Sequence, residues 1–107
     1  MHKISRESQP EVEVFEGVTR RTIACGKDVL MARFEYKKGS KVPPHKHYYE
    51  QVTTILKGEQ KVVIRREGQE EELSLKEGDS YIVPANFEHE QISLTDAVTI
   101  DAWSTTP

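Results

Sequence analysis

Apolar and polar residues alternate along most of this chain. Glu11-Val12-Glu13-Val14-Phe15 nearly switches at every residue. In Val29-Leu30-Met31-Ala32-Arg33-Phe34-Glu35-Tyr36, the residues Leu30, Ala32, Phe34 and Tyr36 share one face of an extended chain, with Arg33 on the other. Val52 to Leu56 and Lys61 to Arg66 are rich in β-branched residues, which suit a pleated, half-buried surface. Leu73 and Leu75 alternate with polar neighbours, and Ala97-Val98-Thr99-Ile100-Asp101-Ala102-Trp103 reads as a last strand. Turn-forming groups separate these runs: Gly17, Gly26-Lys27-Asp28, Lys38-Gly39-Ser40, Lys57-Gly58-Glu59, Glu67-Gly68-Gln69 and Glu77-Gly78-Asp79. No long window carries a capped helical stripe. Short strands between Gly-bearing turns predict an all-β sandwich or barrel. Residues 1–10 are polar and read as an N-terminal arm that is ordered only where something ties it down; residues 11–107 read as one domain.

Composition narrows the class. Only 36% of the residues are apolar and 31% are charged, but the apolar ones are spread along the whole chain, which argues for a folded domain over a disordered one. No apolar run approaches the about 18 residues of a membrane span, so no membrane partner is expected. A net charge of -3 argues against a nucleic-acid partner. The single cysteine, Cys25, allows neither an internal disulfide nor a Cys-rich zinc motif, and beside Gly26 it reads as a small buried or turn-flanking residue. The first residues, Met1 to Glu7, hold no apolar signal core, so the cytoplasm is the expected compartment. The acidic run Gln69-Glu70-Glu71-Glu72 reads as an exposed hairpin arm, its charge balanced by Arg65-Arg66 across the hairpin.

The histidines carry the candidate chemistry. His2 belongs to the tail. His45 and His47 are one residue apart after Val42-Pro43-Pro44, whose prolines favour an extended backbone. On a strand, residues two apart share a face, so both imidazoles can converge on one metal ion, although a solvated surface pair satisfies the same spacing. If that strand runs on, Gln51 has the parity of His45, His47 and Tyr49, whereas Glu50 points away. His89 stands much later, after Pro84-Ala85-Asn86, and taken alone reads equally as a structural core histidine.

The spacing of these residues resembles the two signature motifs of the cupins. The first runs Gly39, five residues, His45, one, His47, three, Gln51, six, Gly58; the second runs Gly78, five residues, Pro84, one, Asn86, two, His89. The family usually has Glu where this chain has Gln51, and commonly Gly where it has Asn86, a residue that also tolerates turns. The resemblance implies a cupin double-stranded β-helix, a jelly-roll barrel, with a metal site of His45, His47, Gln51 and His89. Such donors accept one divalent transition ion, whether Zn, Ni, Fe, Mn or Cu. Replacing Glu by Gln removes a negative charge beside the ion and leaves it a stronger Lewis acid. Small cupins commonly pair through outer strands, so the resemblance also implies a homodimer.

A closer resemblance spans nearly the whole chain. Val14 to Arg21, Leu30 to Tyr36, Pro44-His45-Lys46-His47-Tyr48-Tyr49-Glu50-Gln51 and Ile100-Asp101-Ala102-Trp103-Ser104 look like the small single-domain cupins of the KdgF type. That family converts 4,5-unsaturated uronates from pectin or alginate breakdown into open-chain keto sugars. The resemblance implies an acid/base role for Asp101 and a sugar-facing wall from Trp103, which stands in place of a usual Phe. The two residues share parity, and Tyr49 and Phe87 flank the ligands and could line the mouth. The family also places an Arg four residues after the aromatic, to hold the substrate carboxylate; here that position is Pro107. Arg20, Arg21 or Arg33 would have to supply the contact, and Arg21 and Arg33 are the candidates retained. Two other readings accompany the isomerase: an iron-dependent dioxygenase acting on a small molecule, and a non-catalytic ligand-binding module. The acidic charge and the lack of a DNA-binding helix weigh against the module as a regulator.

Overall fold

The period-two pattern becomes a molecule made almost entirely of strands. The computed structural model describes residues 3–105. In chain order the strands are β1 (Glu11–Phe15), β2 (Val18–Cys25), β3 (Val29–Tyr36), β4 (Lys41–His45), β5 (Gln51–Lys57), β6 (Glu59–Arg66), β7 (Gln69–Lys76), β8 (Ser80–Val83), β9 (Glu88–Ser93) and β10 (Ala97–Ser104). They form a six-stranded antiparallel sheet in the order β1-β2-β3-β10-β5-β8 and a four-stranded one in the order β4-β9-β6-β7. After β3 the chain passes back and forth between the sheets, which is the path of a jelly-roll barrel. Among the described residues no helix is long and apolar enough to cross a membrane.

Alternation decides what faces inward. Ile55, Val62, Ile64, Leu75, Tyr81 and Val83 pack together with Leu73 and Phe87, and Val18, Tyr36 and Ala97 form a second cluster with Phe34 and Val42. Ile55, Val62 and Val83 are at most 1% exposed; each such side chain stabilises the fold by about 1.5–3 kcal/mol. The same inward rows also carry polar groups: Gln51, Thr53, Gln60, His89, Ser93, Thr99 and Asp101 are all buried. A barrel this small hides so many polar side chains only if they bond to one another or to something inside it.

β2 and β9 lacked a readable alternation for a physical reason. The inward residues of β9 include His89 and Gln91, and β2 carries Arg20 and Arg21 at its centre. Cavity-lining positions are polar, so the hydrophobic signal is erased where the interior is functional. The arm preceding β1 is tied down by Arg21, which donates to the carbonyls of Gln9 (2.8 Å) and Arg6 (3.3 Å) and pairs with Glu11. At the β6–β7 hairpin, Glu67 (φ 50°) and Gly68 (φ 80°) both take positive φ, as a two-residue hairpin turn requires. Arg65 pairs across that hairpin with Glu70, as the charge pattern anticipated, and also with Glu88 and Glu90 of β9. Cys25 is exposed at the end of β2, beside its turn.

Candidate metal centre

His45 closes β4, and directly across the ladder stands His89 of β9. The chain then leaves the four-stranded sheet. His47 sits on the connecting segment, and Gln51 opens β5 in the other sheet. One continuous strand from 45 to 51 was the expectation, and it does not form. Gln51 nevertheless faces the histidines, because Gln51, Thr53 and Ile55 form the inward row of β5. The turn at 84–86 braces the arrangement: the Asn86 N–H donates to the His47 carbonyl at 2.7 Å, and Asn86 takes φ 67°. That left-handed conformation is the one glycine or asparagine adopts at least cost, in keeping with the substitution seen in the second motif.

The three imidazoles converge. Their ring centroids lie 4.1 Å (His45–His89), 4.8 Å (His47–His89) and 5.7 Å (His45–His47) apart, and one nitrogen from each falls within 4.8 Å of the others. Each Nδ1 faces a backbone carbonyl: Pro43 for His45 (2.9 Å), Tyr49 for His47 (2.9 Å) and Phe87 for His89 (3.1 Å). A carbonyl only accepts, so Nδ1 carries the proton in all three rings and Nε2 presents a lone pair. This is how metal-binding imidazoles are held in tautomer and orientation. Burial, helped by the two neighbouring imidazoles, pushes His89 down to about 4, which keeps it in the neutral form a cation needs.

Gln51 supplies the most telling contact. Its amide nitrogen donates to Asp101 Oδ2 (3.0 Å) and Thr53 Oγ1 (2.9 Å), which fixes the orientation of the carboxamide because a carboxylate cannot donate. The carbonyl oxygen is thereby turned to within 3.1 Å of His47 Nε2. Two acceptors face each other there, a contact satisfied when a cation binds both. Three imidazole nitrogens and an amide oxygen suit a divalent transition ion, so the donor set fits the metal its motifs imply.

These groups open into a cavity of about 190 Å³, also lined by Tyr49, Asp101 and Trp103. Asp101 is 5% exposed, and burial pushes its carboxyl up to about 6 although Thr99, Thr53 and Arg20 oppose the rise. Thr99 Oγ1 donates to its Oδ1 at 2.7 Å. Tyr49 lies parallel to His47 (centroids 4.1 Å apart, 3°) and stacks on Trp103 (5.9 Å, 19°), so the three rings form one wall. Asp101 and Trp103 share the inner face, as their parity indicated.

Three sequence candidates lie elsewhere. Phe87 packs against the apolar core under the Arg66 guanidinium and reaches the site only through its carbonyl. Arg21 and Arg33 are ladder partners on the outer face, occupied by the arm and by Glu35 respectively. Arg20, one residue away, points in and lines the cavity with Phe34, Tyr36 and Gln91. The available signal for Arg20 was its parity with Val18, but adjacent arginines conceal which of the two faces inward. His2 and Pro107 lie outside the described residues.

The Cupin domain family matches residues 32–103. The chain is 34% identical over 100 residues to the pectin degradation protein KdgF of Dickeya dadantii (strain 3937), covering 92% of this chain and 87% of that one. Among solved structures, KdgF from Halomonas sp. superposes with a TM-score of 0.80 at 23% identity, covering 96% of this chain and 92% of that one. An RmlC-like cupin from Shewanella frigidimarina NCIMB 400 superposes with a TM-score of 0.84 at 24% identity, covering 99% and 92%. The two motifs, the convergent imidazoles and the jelly roll that holds them therefore have one account: this chain belongs to the cupin family, among the small single-domain cupins of the KdgF type.

Proposed function

We propose that this protein is a metal-dependent cupin enzyme that isomerises a 4,5-unsaturated uronate, a sugar acid, to its open-chain keto form. Its likeness to a pectin degradation protein supports the substrate class. The observation that carries the chemistry is the 3.0 Å hydrogen bond joining Asp101 to Gln51, whose oxygen faces the three imidazoles. It sets a group able to exchange protons beside a cation site, inside one cavity.

His45, His47, His89 and Gln51 would hold the ion, which supplies Lewis acidity toward a substrate oxygen. The conversion is an isomerisation. The anomeric hydroxyl loses a proton as the ring C–O bond opens, and the carbon of the released enolate's double bond that does not carry the oxygen takes up a proton. Asp101 is the group of this chain that moves that proton. With its carboxyl near 6, both the acid and the carboxylate are populated close to neutral pH, which is what a general acid/base needs. Gln51 and Thr99 hold the carboxyl in place. Trp103 and Tyr49 line the cavity and bound the space that a sugar ring would enter.

The test is the loss of the unsaturated uronate's ultraviolet absorbance with metal-loaded protein. Wild type is expected to consume the chromophore, and Asp101→Asn to lower kcat by about 100-fold or more while retaining its metal. A metal-loaded wild type that leaves the absorbance unchanged overturns the reading.

A further inference from the structure

We propose that Arg20 is the residue that receives the substrate's carboxylate. The inference deepens the sugar-acid reading and rests on it. A sugar acid brings a carboxylate, so its site needs a cation on the cavity wall.

Arg20 sits on the inward row of β2, two residues from the fully buried Val18, and lines the same cavity as His45, His89 and Asp101. Its guanidinium carbon lies 5.0 Å from the Trp103 ring centroid and 5.9 Å from that of Phe34. Aromatic faces hold a guanidinium by its plane and leave the N–H edge free to bond in plane. Arg21, Arg33, Arg65 and Arg66 each have a glutamate within ion-pair distance. Arg20 shows no such partner among the described residues. A half-buried, pre-oriented cation with no carboxylate within ion-pair distance, facing a cavity, is what a bidentate carboxylate site presents before its ligand arrives. Arg20 is also near enough to Asp101 and Tyr49 to oppose the rise that burial gives both pKa values. A carboxylate seated on Arg20 thus lies against the Trp103 face, with the rest of a sugar acid extending toward the imidazoles.

The test is calorimetric binding to the full, metal-loaded chain with two probes, D-galacturonate and D-galactose, which differ in carrying a carboxylate or a hydroxymethyl group. Wild type is expected to prefer the acid on the order of 10- to 100-fold, the range of a charge-assisted hydrogen-bond pair. Arg20→Gln should erase that preference while metal content stays unchanged. Arg20→Lys should restore only part of it, because an ammonium lacks the fork, and Arg21→Gln and Arg33→Gln should leave it intact. A wild type without the preference, or an Arg20→Gln variant that keeps it, overturns the proposal. The reaction is judged separately by turnover of the unsaturated uronate. If wild type prefers the acid through Arg20 but leaves that uronate unconsumed, the carboxylate site stands and the isomerase reading falls. If turnover proceeds with the same KM in Arg20→Gln, the isomerase reading stands and the Arg20 proposal falls.

Discussion

Removing the charge of Asp101 should stabilise the metal-free protein, and the gain should depend on pH. Asp101 is 5% exposed, and burial carries its carboxyl from an ordinary 3.8 to about 6. Between those values the native state holds a proton that the unfolded chain releases, so stability falls as pH rises through the window. Each tenfold change in proton affinity is worth about 1.4 kcal/mol, so the displacement amounts to roughly 3 kcal/mol by neutral pH. His89 acts in the opposite sense. It is lowered from 6.5 to about 4, so between those values the unfolded chain binds the extra proton and stability rises with pH. The two slopes oppose each other between pH 4 and 6, so the wild-type apoprotein should vary less there than Asp101 alone would make it. Asp101→Asn removes one of them. The amide can still accept from Gln51 and donate to Thr99, whose hydroxyl can turn toward Tyr36. In urea titrations with chelator from pH 4 to 8, the variant should match wild type near pH 4. It should then gain with pH to about 3 kcal/mol at pH 7, a midpoint shift of about 1–3 M. A difference that is constant with pH, or a variant less stable than wild type at pH 7, would refute the claim that burial of the charge outweighs its hydrogen bonds.

Other expectations follow from single residues. His45→Ala, His47→Ala and His89→Ala should each abolish stoichiometric metal after dialysis, measured by elemental analysis, whereas Phe87→Leu should keep it because only the carbonyl of residue 87 is used. Gly58 has φ 89°, and a Cβ there would collide with the backbone carbonyl of Asp96 and lie 2.9 Å from Ala97 Cα. Gly58→Ala should therefore cost at least about 3 kcal/mol in denaturant titration. At Asn86, also left-handed, Gly should be neutral within about 0.5 kcal/mol, while Val should cost about 2 kcal/mol or more, seen as a drop in Tm.

The legible parts of this fold are those where apolar alternation meets an apolar interior. β3 and β10 could be read directly, because Ala32 and Tyr36, and Ala97 and Trp103, mark their inward rows. The three-histidine cluster was legible through motif spacing, which records turns and crossings without showing them. Gln51 marks the limit: the chain changes sheets between His45 and Gln51, so parity does not carry across, and Gln51 faces inward through the row that β5 begins. Tertiary choices between near-equivalent residues stayed hidden. Arg20 and Arg21 are chemically identical neighbours, and only the pairing of β2 with β1 and β3 separates the one facing the cavity from the one that ties the arm. Phe87 has the parity of His89, but β9 begins only at Glu88, so Phe87 belongs to the connection before the strand and its ring packs on the apolar core.

The amide at position 51 and the carboxylate at 101 make sense only together. A glutamate at 51, the usual cupin choice, would set a second carboxylate about where the amide nitrogen now lies, 3.0 Å from Asp101. Two charges that close repel by roughly 5 kcal/mol at an effective dielectric constant near 20, so both would not stay ionised. An amide avoids this by presenting two different ends. Its N–H group binds Asp101, and its oxygen is turned toward the imidazoles. Hydrogen bonding to the carboxylate polarises the amide and makes that oxygen a better donor to a cation than a free amide would be. The negative charge of the usual ligand is thus carried one hydrogen bond outward, to the cavity wall beside Trp103. There it would still act on a bound ion through Gln51, with its own oxygens outside the donor set that faces the imidazoles.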